Sequence, residues 1–71
     1  GFSDIRLKEN VELIGKSPSN INIYKFNYKN IPTTYQGAMA HEVPWASVKH
    51  DNGYMMIDYS KIDVELKEWQ K

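Results

Sequence analysis

Ile21-Asn22-Ile23-Tyr24-Lys25-Phe26-Asn27-Tyr28-Lys29 is the most regular stretch of the chain. Tyr24, Phe26 and Tyr28 alternate with Lys25 and Asn27, the two-residue period of a strand with one face turned to a core. Ile21 and Ile23 alternate as well, but with the opposite parity. The change between Ile23 and Tyr24 marks either a β-bulge or a strand that begins at Tyr24. Pro32 within Asn30-Ile31-Pro32-Thr33-Thr34 has no N–H to give to a ladder, so that segment reads as a loop.

Working outward, Tyr35 to Ala40 reads as a second strand. Its Gly37, Ala38 and Ala40 are small, which implies close packing against another element. His41-Glu42-Val43-Pro44-Trp45-Ala46 suits one helical turn, with Pro44 starting or ending it. Ala46–Lys49 and Tyr54–Ile57 flank His50-Asp51-Asn52-Gly53. Asn-Gly is the strongest short hairpin signal, since both residues tolerate positive φ.

Asp58 is placed to cap a final helix from about Tyr59 to Gln70. Tyr59, Ile62, Leu66 and Trp69 lie along one helical stripe, with Asp63 and Lys67 as a supporting pair on the outer side. On the N-terminal side, Leu7, Val11 and Ile14 have helical spacing, but Gly15 and Ser17-Pro18-Ser19-Asn20 stop any helix quickly. A strand followed by a turn fits that segment equally well. The expected fold is therefore α+β: a small antiparallel sheet with hairpins, short helical turns and a C-terminal helix.

Seventy-one residues make one domain, and a chain of this size buries only about 60% of its unfolded surface. Small domains usually need disulfides, a metal or oligomerisation. With 0 Cys and only His41 and His50, neither a disulfide nor a convincing zinc site is expected. Oligomerisation is the remaining support, and an aromatic share of 13% suits an interface as well as a core. A net charge of +0 argues against nucleic acid as a partner. The apolar runs are too short to cross a membrane, and no signal peptide is visible. No phosphate loop, nucleotide fingerprint or metal motif is present, so no cofactor is expected.

Ser3 and Lys8 are the candidates for chemistry. A serine hydroxyl needs a base, and a lysine is one only if burial or a neighbouring cation such as Arg6 lowers its pKa. Five residues apart, the two lie on opposite faces of a straight strand and about 140° apart around a helix. The segment must bend, near Asp4-Ile5, for them to meet. From spacing alone they read as an exposed serine and a solvated lysine. His50 reads as solvent-exposed, Met39, Met55 and Met56 as core filler, and Ser60 beside Asp58 as helix-start chemistry.

Three motifs carry a resemblance. Ser3-Asp4-Ile5-Arg6-Leu7-Lys8-Glu9-Asn10, Ile23-Tyr24-Lys25-Phe26-Asn27-Tyr28, and Gly37-Ala38-Met39-Ala40-His41-Glu42-Val43 followed by Gly53–Lys61 together resemble the endosialidase-type C-terminal intramolecular chaperone domain of phage tail fibres and tail spikes. The match runs from Ser3 to about Val64. It implies a homotrimer that helps an upstream fibre of the same polypeptide fold in register. It also implies self-cleavage at Phe2–Ser3, with Ser3 as nucleophile and Lys8 as general base. Gly1 and Phe2 then read as the end of that fibre or as residues added to the chain.

The stripe Tyr59, Ile62, Leu66 and Trp69 is the expected trimer interface. The implied location is the host cytoplasm during phage assembly, or the virion tail fibre if the domain is not released. No small-molecule ligand is expected. Two departures stand out: His41 where the family typically has Gln, and Ala38 where a larger apolar residue is common. The alternatives are a trimerisation cap that does not cleave and a receptor-binding tip presenting Tyr35, Trp45 and Tyr54.

Overall fold

A computed structural model describes every residue from Gly1 to Lys71. The alternating stretch forms β2 (Asn22–Tyr28), the second strand of a four-stranded antiparallel sheet. Its neighbours are β1 (Lys8–Lys16) on one side and β3 (Tyr35–Gly37) on the other, and β6 (Lys67–Glu68) closes the far edge. β4 (Ser47–Lys49) and β5 (Met55–Ile57) form a separate hairpin.

Opposite the parity change in β2 lies a register shift in the partner strand. Leu13 pairs with Tyr24 and Gly15 with Ile23, so β1 carries one extra residue at that point. A second extra residue lies between Glu9 and Glu12, where Asn10 adopts φ 56°, a conformation asparagine tolerates better than most residues.

β3 is shorter than the expected Tyr35–Ala40 strand. After Gly37 the chain leaves the sheet and makes two 3-10 turns, Ala40–Glu42 and Pro44–Ala46, with Pro44 starting the second. In the hairpin turn only Gly53 has positive φ, at 86°. Gly53 N–H bonds the His50 carbonyl, and His50 N–H bonds that of Tyr54. This is the three-residue loop closed by a left-handed glycine, in place of the two-residue Asn-Gly turn.

The predicted C-terminal helix does not form, and the chain contains no α-helix. Asp58 caps a single 3-10 turn, Tyr59–Lys61, and the chain then runs extended to β6. The reason is Val64, which is buried in the core with Ile62 packed beside it. A helix built on the 59/62/66/69 stripe would carry Val64 away from that face, whereas an extended chain brings Ile62, Val64 and Leu66 to one side. Asp63 accepts the Ser19 N–H at 2.9 Å, and Lys67 lies 3.7 Å from Glu65, so the expected Asp63–Lys67 pair is absent.

Ile21, Ala38, Ala40, Val43, Ala46, Ile57 and Val64 form one core cluster, and Phe26 and Met39 are buried as well. The small residues at 38 and 40 let the sheet, the 3-10 turns and the hairpin approach one another. Gly37 has a sharper role: a Cβ there would lie 2.7 Å from the Tyr59 hydroxyl and 3.1 Å from Leu66.

Candidate active site

Asp4 makes the bend that the Ser3–Lys8 spacing demands. Its Oδ1 accepts the Arg6 N–H at 3.0 Å, and its carbonyl accepts that of Leu7, which folds Ile5–Leu7 into a 3-10 turn. Oδ2 accepts the Met55 N–H at 3.0 Å and pairs with the Arg6 guanidinium at 2.8 Å. The Arg6 hydrogen bond, aided by these backbone donors, holds the Asp4 carboxyl well below the usual carboxylate range despite its burial.

The turn delivers Ser3 and Lys8 to the interior. Ser3 is 0% exposed and Lys8 is 4% exposed, which overturns the reading of an exposed serine and a solvated lysine. Lys8 Nζ donates to the Ala38 carbonyl at 3.0 Å and to Met39 Sδ at 3.5 Å, and lies 3.9 Å from the centre of the Phe26 ring. Met39 is thus both core and a weak acceptor for the amine. Burial pushes the Lys8 pKa down to about 8, against the opposing attraction of Asp4.

Ser3 Oγ and Lys8 Nζ do not hydrogen-bond to each other. Ser3 Oγ pairs with the Tyr59 hydroxyl at 3.0 Å. That hydroxyl also accepts the Ala38 N–H at 3.2 Å and donates toward the Ala38 carbonyl at 3.5 Å, the same oxygen that holds Lys8. Tyr59 and the Ala38 peptide therefore link serine to lysine. Gly37 permits this, because any side chain there would displace the Tyr59 hydroxyl.

The Phe2–Ser3 bond is held by strand pairing. Gly1 and Ile57 exchange both of their N–H···O bonds, at 3.2 and 3.0 Å, and Ser3 N–H donates to the Met55 carbonyl at 3.0 Å. Residues 1–3 thus lie antiparallel on β5, with Phe2 opposite Met56. The Phe2 ring meets His50 edge-on at 5.3 Å. An open hollow of about 350 Å³, lined by Phe2, Leu7, Tyr28, Lys29 and Ile31, lies on the Phe2 side of this bond.

The residues expected at a trimer interface are engaged within the chain. Tyr59 and Ile62 pack on the core, and Leu66 lies over Gly37. Trp69 sits under the Lys25 ammonium, with 4.2 Å from Nζ to the ring centre. Of the aromatic trio, Trp45 is exposed, while Tyr35 packs edge-on against Tyr28 and Tyr54 lies beneath Arg6. His50 is exposed. His41 is exposed beside Asp4 and Arg6 on the rim of a separate cleft.

Sequence reasoning placed Tyr59 on a packing stripe and gave Tyr28 no role beyond a strand. Both carry hydroxyls into this site. The only signal for Tyr28 is its register, since it pairs directly with Lys8 and so shares that face of the sheet. Comparison with protein-family models, curated proteins and solved structures returned no match.

Proposed function

We propose that this chain is an intramolecular chaperone of the phage tail-fibre type, which assembles as a trimer and cuts its own backbone between Phe2 and Ser3. The observation that carries the reading is a fully buried serine hydroxyl, directly after a strand-clamped peptide bond, linked through Tyr59 and the Ala38 peptide to a buried lysine of lowered pKa. An ordinary structural serine needs no such lysine. A buried lysine costs stability, which a functional site can justify.

The step proceeds as follows. Neutral Lys8 takes the Ser3 Oγ proton after a side-chain rotation brings the two groups together. Oγ bonds to the Phe2 carbonyl carbon, and the C–N bond breaks as the Ser3 nitrogen receives a proton. Water then hydrolyses the Phe2 ester, leaving a Phe2 carboxylate and the Ser3 hydroxyl.

The exposed apolar side of β1 supports assembly. β1 is an edge strand, and Val11, Leu13 and Ile14 on it are 37%, 53% and 39% exposed in the single chain. Long edge strands carrying apolar residues invite a partner. Three copies joined there would hold their upstream segments at high local concentration and in register. On this reading the chain works in the host cytoplasm during phage assembly.

A second reading is a trimerisation cap that remains attached to the virion fibre. It is favoured by the resting hydrogen bonds, in which Ser3 Oγ and Lys8 Nζ each have other partners. The deciding experiment is intact mass of the natural full-length polypeptide, wild type beside Ser3→Ala. A cut before Ser3 in wild type alone is expected. Intact chains in both would leave the cap.

A further inference from the structure

The strand pairing on β5 has a directional consequence for the bond in question. In an antiparallel pair, alternate residues aim their N–H and C=O groups at the partner, and the residues between aim them away. Gly1 and Ser3 face β5, so the Phe2 carbonyl points outward from it. The oxygen nonetheless has a donor, because the Tyr28 hydroxyl donates to it at 2.7 Å.

This contact spans 26 residues of sequence and is set by two independent pairings: β1 with β2, which places Tyr28 opposite Lys8, and residues 1–3 with β5. The Tyr28 ring is fixed by edge contacts with Phe26 at 5.4 Å and Tyr35 at 5.6 Å. A hydroxyl so held is an oriented donor that needs little reorganisation during reaction.

We propose that Tyr28 is a catalytic residue, the oxyanion donor for cleavage at Phe2–Ser3. The proposal rests on the self-cleavage reading above. When Ser3 Oγ adds to the Phe2 carbonyl carbon, the carbonyl π electrons move onto the oxygen. The Tyr28 hydroxyl already touches that atom, and its hydrogen bond strengthens as the charge develops. Collapse of the adduct returns the electrons to the carbonyl and expels the Ser3 nitrogen. Burial, reinforced by Tyr59 and Tyr35, pushes the Tyr28 pKa up to about 12. The phenol therefore keeps its proton at every pH where Lys8 first becomes a base.

The test is Tyr28→Phe in the natural full-length polypeptide, which keeps the ring contacts and removes only the hydroxyl. Cleavage should slow roughly 10²–10³-fold, the usual loss for one oxyanion donor. Thermal unfolding and oligomeric state are measured alongside, to separate this from a folding defect. A Tyr28→Phe cut at the wild-type rate overturns the role of Tyr28 and leaves the Ser3–Lys8 reading intact. No cut in wild type overturns both.

An independent readout uses the uncleavable Ser3→Ala background with ¹³C at the Phe2 carbonyl. Adding Tyr28→Phe should move that resonance upfield as its donor is lost, and an unmoved resonance also overturns the proposal. If Tyr28→Phe fails to fold, site-specific 3-fluorotyrosine at position 28 supplies a stronger donor in the same ring. It should move the resonance downfield, and no movement overturns the proposal.

Discussion

Residues 3–8 bury a serine, an aspartate and a lysine, whereas residues 9–16, which follow them directly, leave Val11, Leu13 and Ile14 facing outward. Each stretch runs against the ordinary partition of polar and apolar side chains. The first is satisfied within the chain: Ser3, Asp4 and Lys8 all have hydrogen-bond partners. The second has no internal partner, since β1 is the sheet edge. Polar burial with complete hydrogen bonding points to chemistry inside one chain, and apolar exposure along an edge points to another chain. On the proposed reading, function and assembly occupy neighbouring stretches of the chain, residues 3–8 and the rest of β1.

The strongest way to break this division is Lys8→Met. We expect cleavage to fall roughly 10²–10⁴-fold, the usual contribution of a general base, while the melting temperature does not drop. Met keeps the volume and removes a buried amine whose lowered pKa costs roughly 3 kcal/mol at neutral pH. A melting temperature that collapses together with cleavage would make Lys8 structural. Intact mass and thermal unfolding on the same sample decide between them.

A smaller effect follows from pH. Lys8 becomes a base by losing its proton, so cleavage should rise about tenfold per pH unit and level off above about 8. Stability moves the same way for a related reason. The folded state holds this proton less tightly than the unfolded chain, whose lysine retains it up to its ordinary pKa of 10.5. Stability is therefore reduced below about pH 8 and is regained between about 8 and 10.5. A cleavage rate flat from pH 6 to 9 would exclude Lys8 as the base.

The smallest effect on the single chain, and the sharpest on assembly, is expected for Leu13→Asp. The stability of one chain should change by about 0.5 kcal/mol or less, because the side chain is already exposed. The trimer should dissociate in sedimentation at micromolar concentration. A trimer that survives would move the interface away from β1.

The legible parts of the fold were those set by local chemistry. The alternation at Tyr24–Tyr28 and the glycine at position 53 act over a few residues, and both became the elements they signalled. The C-terminal segment was misread because 59/62/66/69 and 62/64/66 are both apolar patterns in the same residues. Only tertiary contact chooses between them, and burial of Val64 chose the extended form. Ser3 and Lys8 were candidates by residue type, a resemblance supplied their roles, and their burial could not be read from their spacing. Tyr28 and Tyr59 were beyond reach, since each arrives from a distant element through register and a glycine gap.

The clamping of residues 1–3 on β5 separates two events that a cut is usually taken to combine. Breaking the Phe2–Ser3 bond removes one covalent link, but the Gly1–Ile57 pairing and the Tyr28 bond to Phe2 remain on the upstream side. The new end stays docked as a bound strand until those contacts open. In the proposed assembly, a nicked chain would hold its shape after the chemistry is over. Its parting becomes a matter of peeling, governed by how hard the upstream segment pulls and not by the serine.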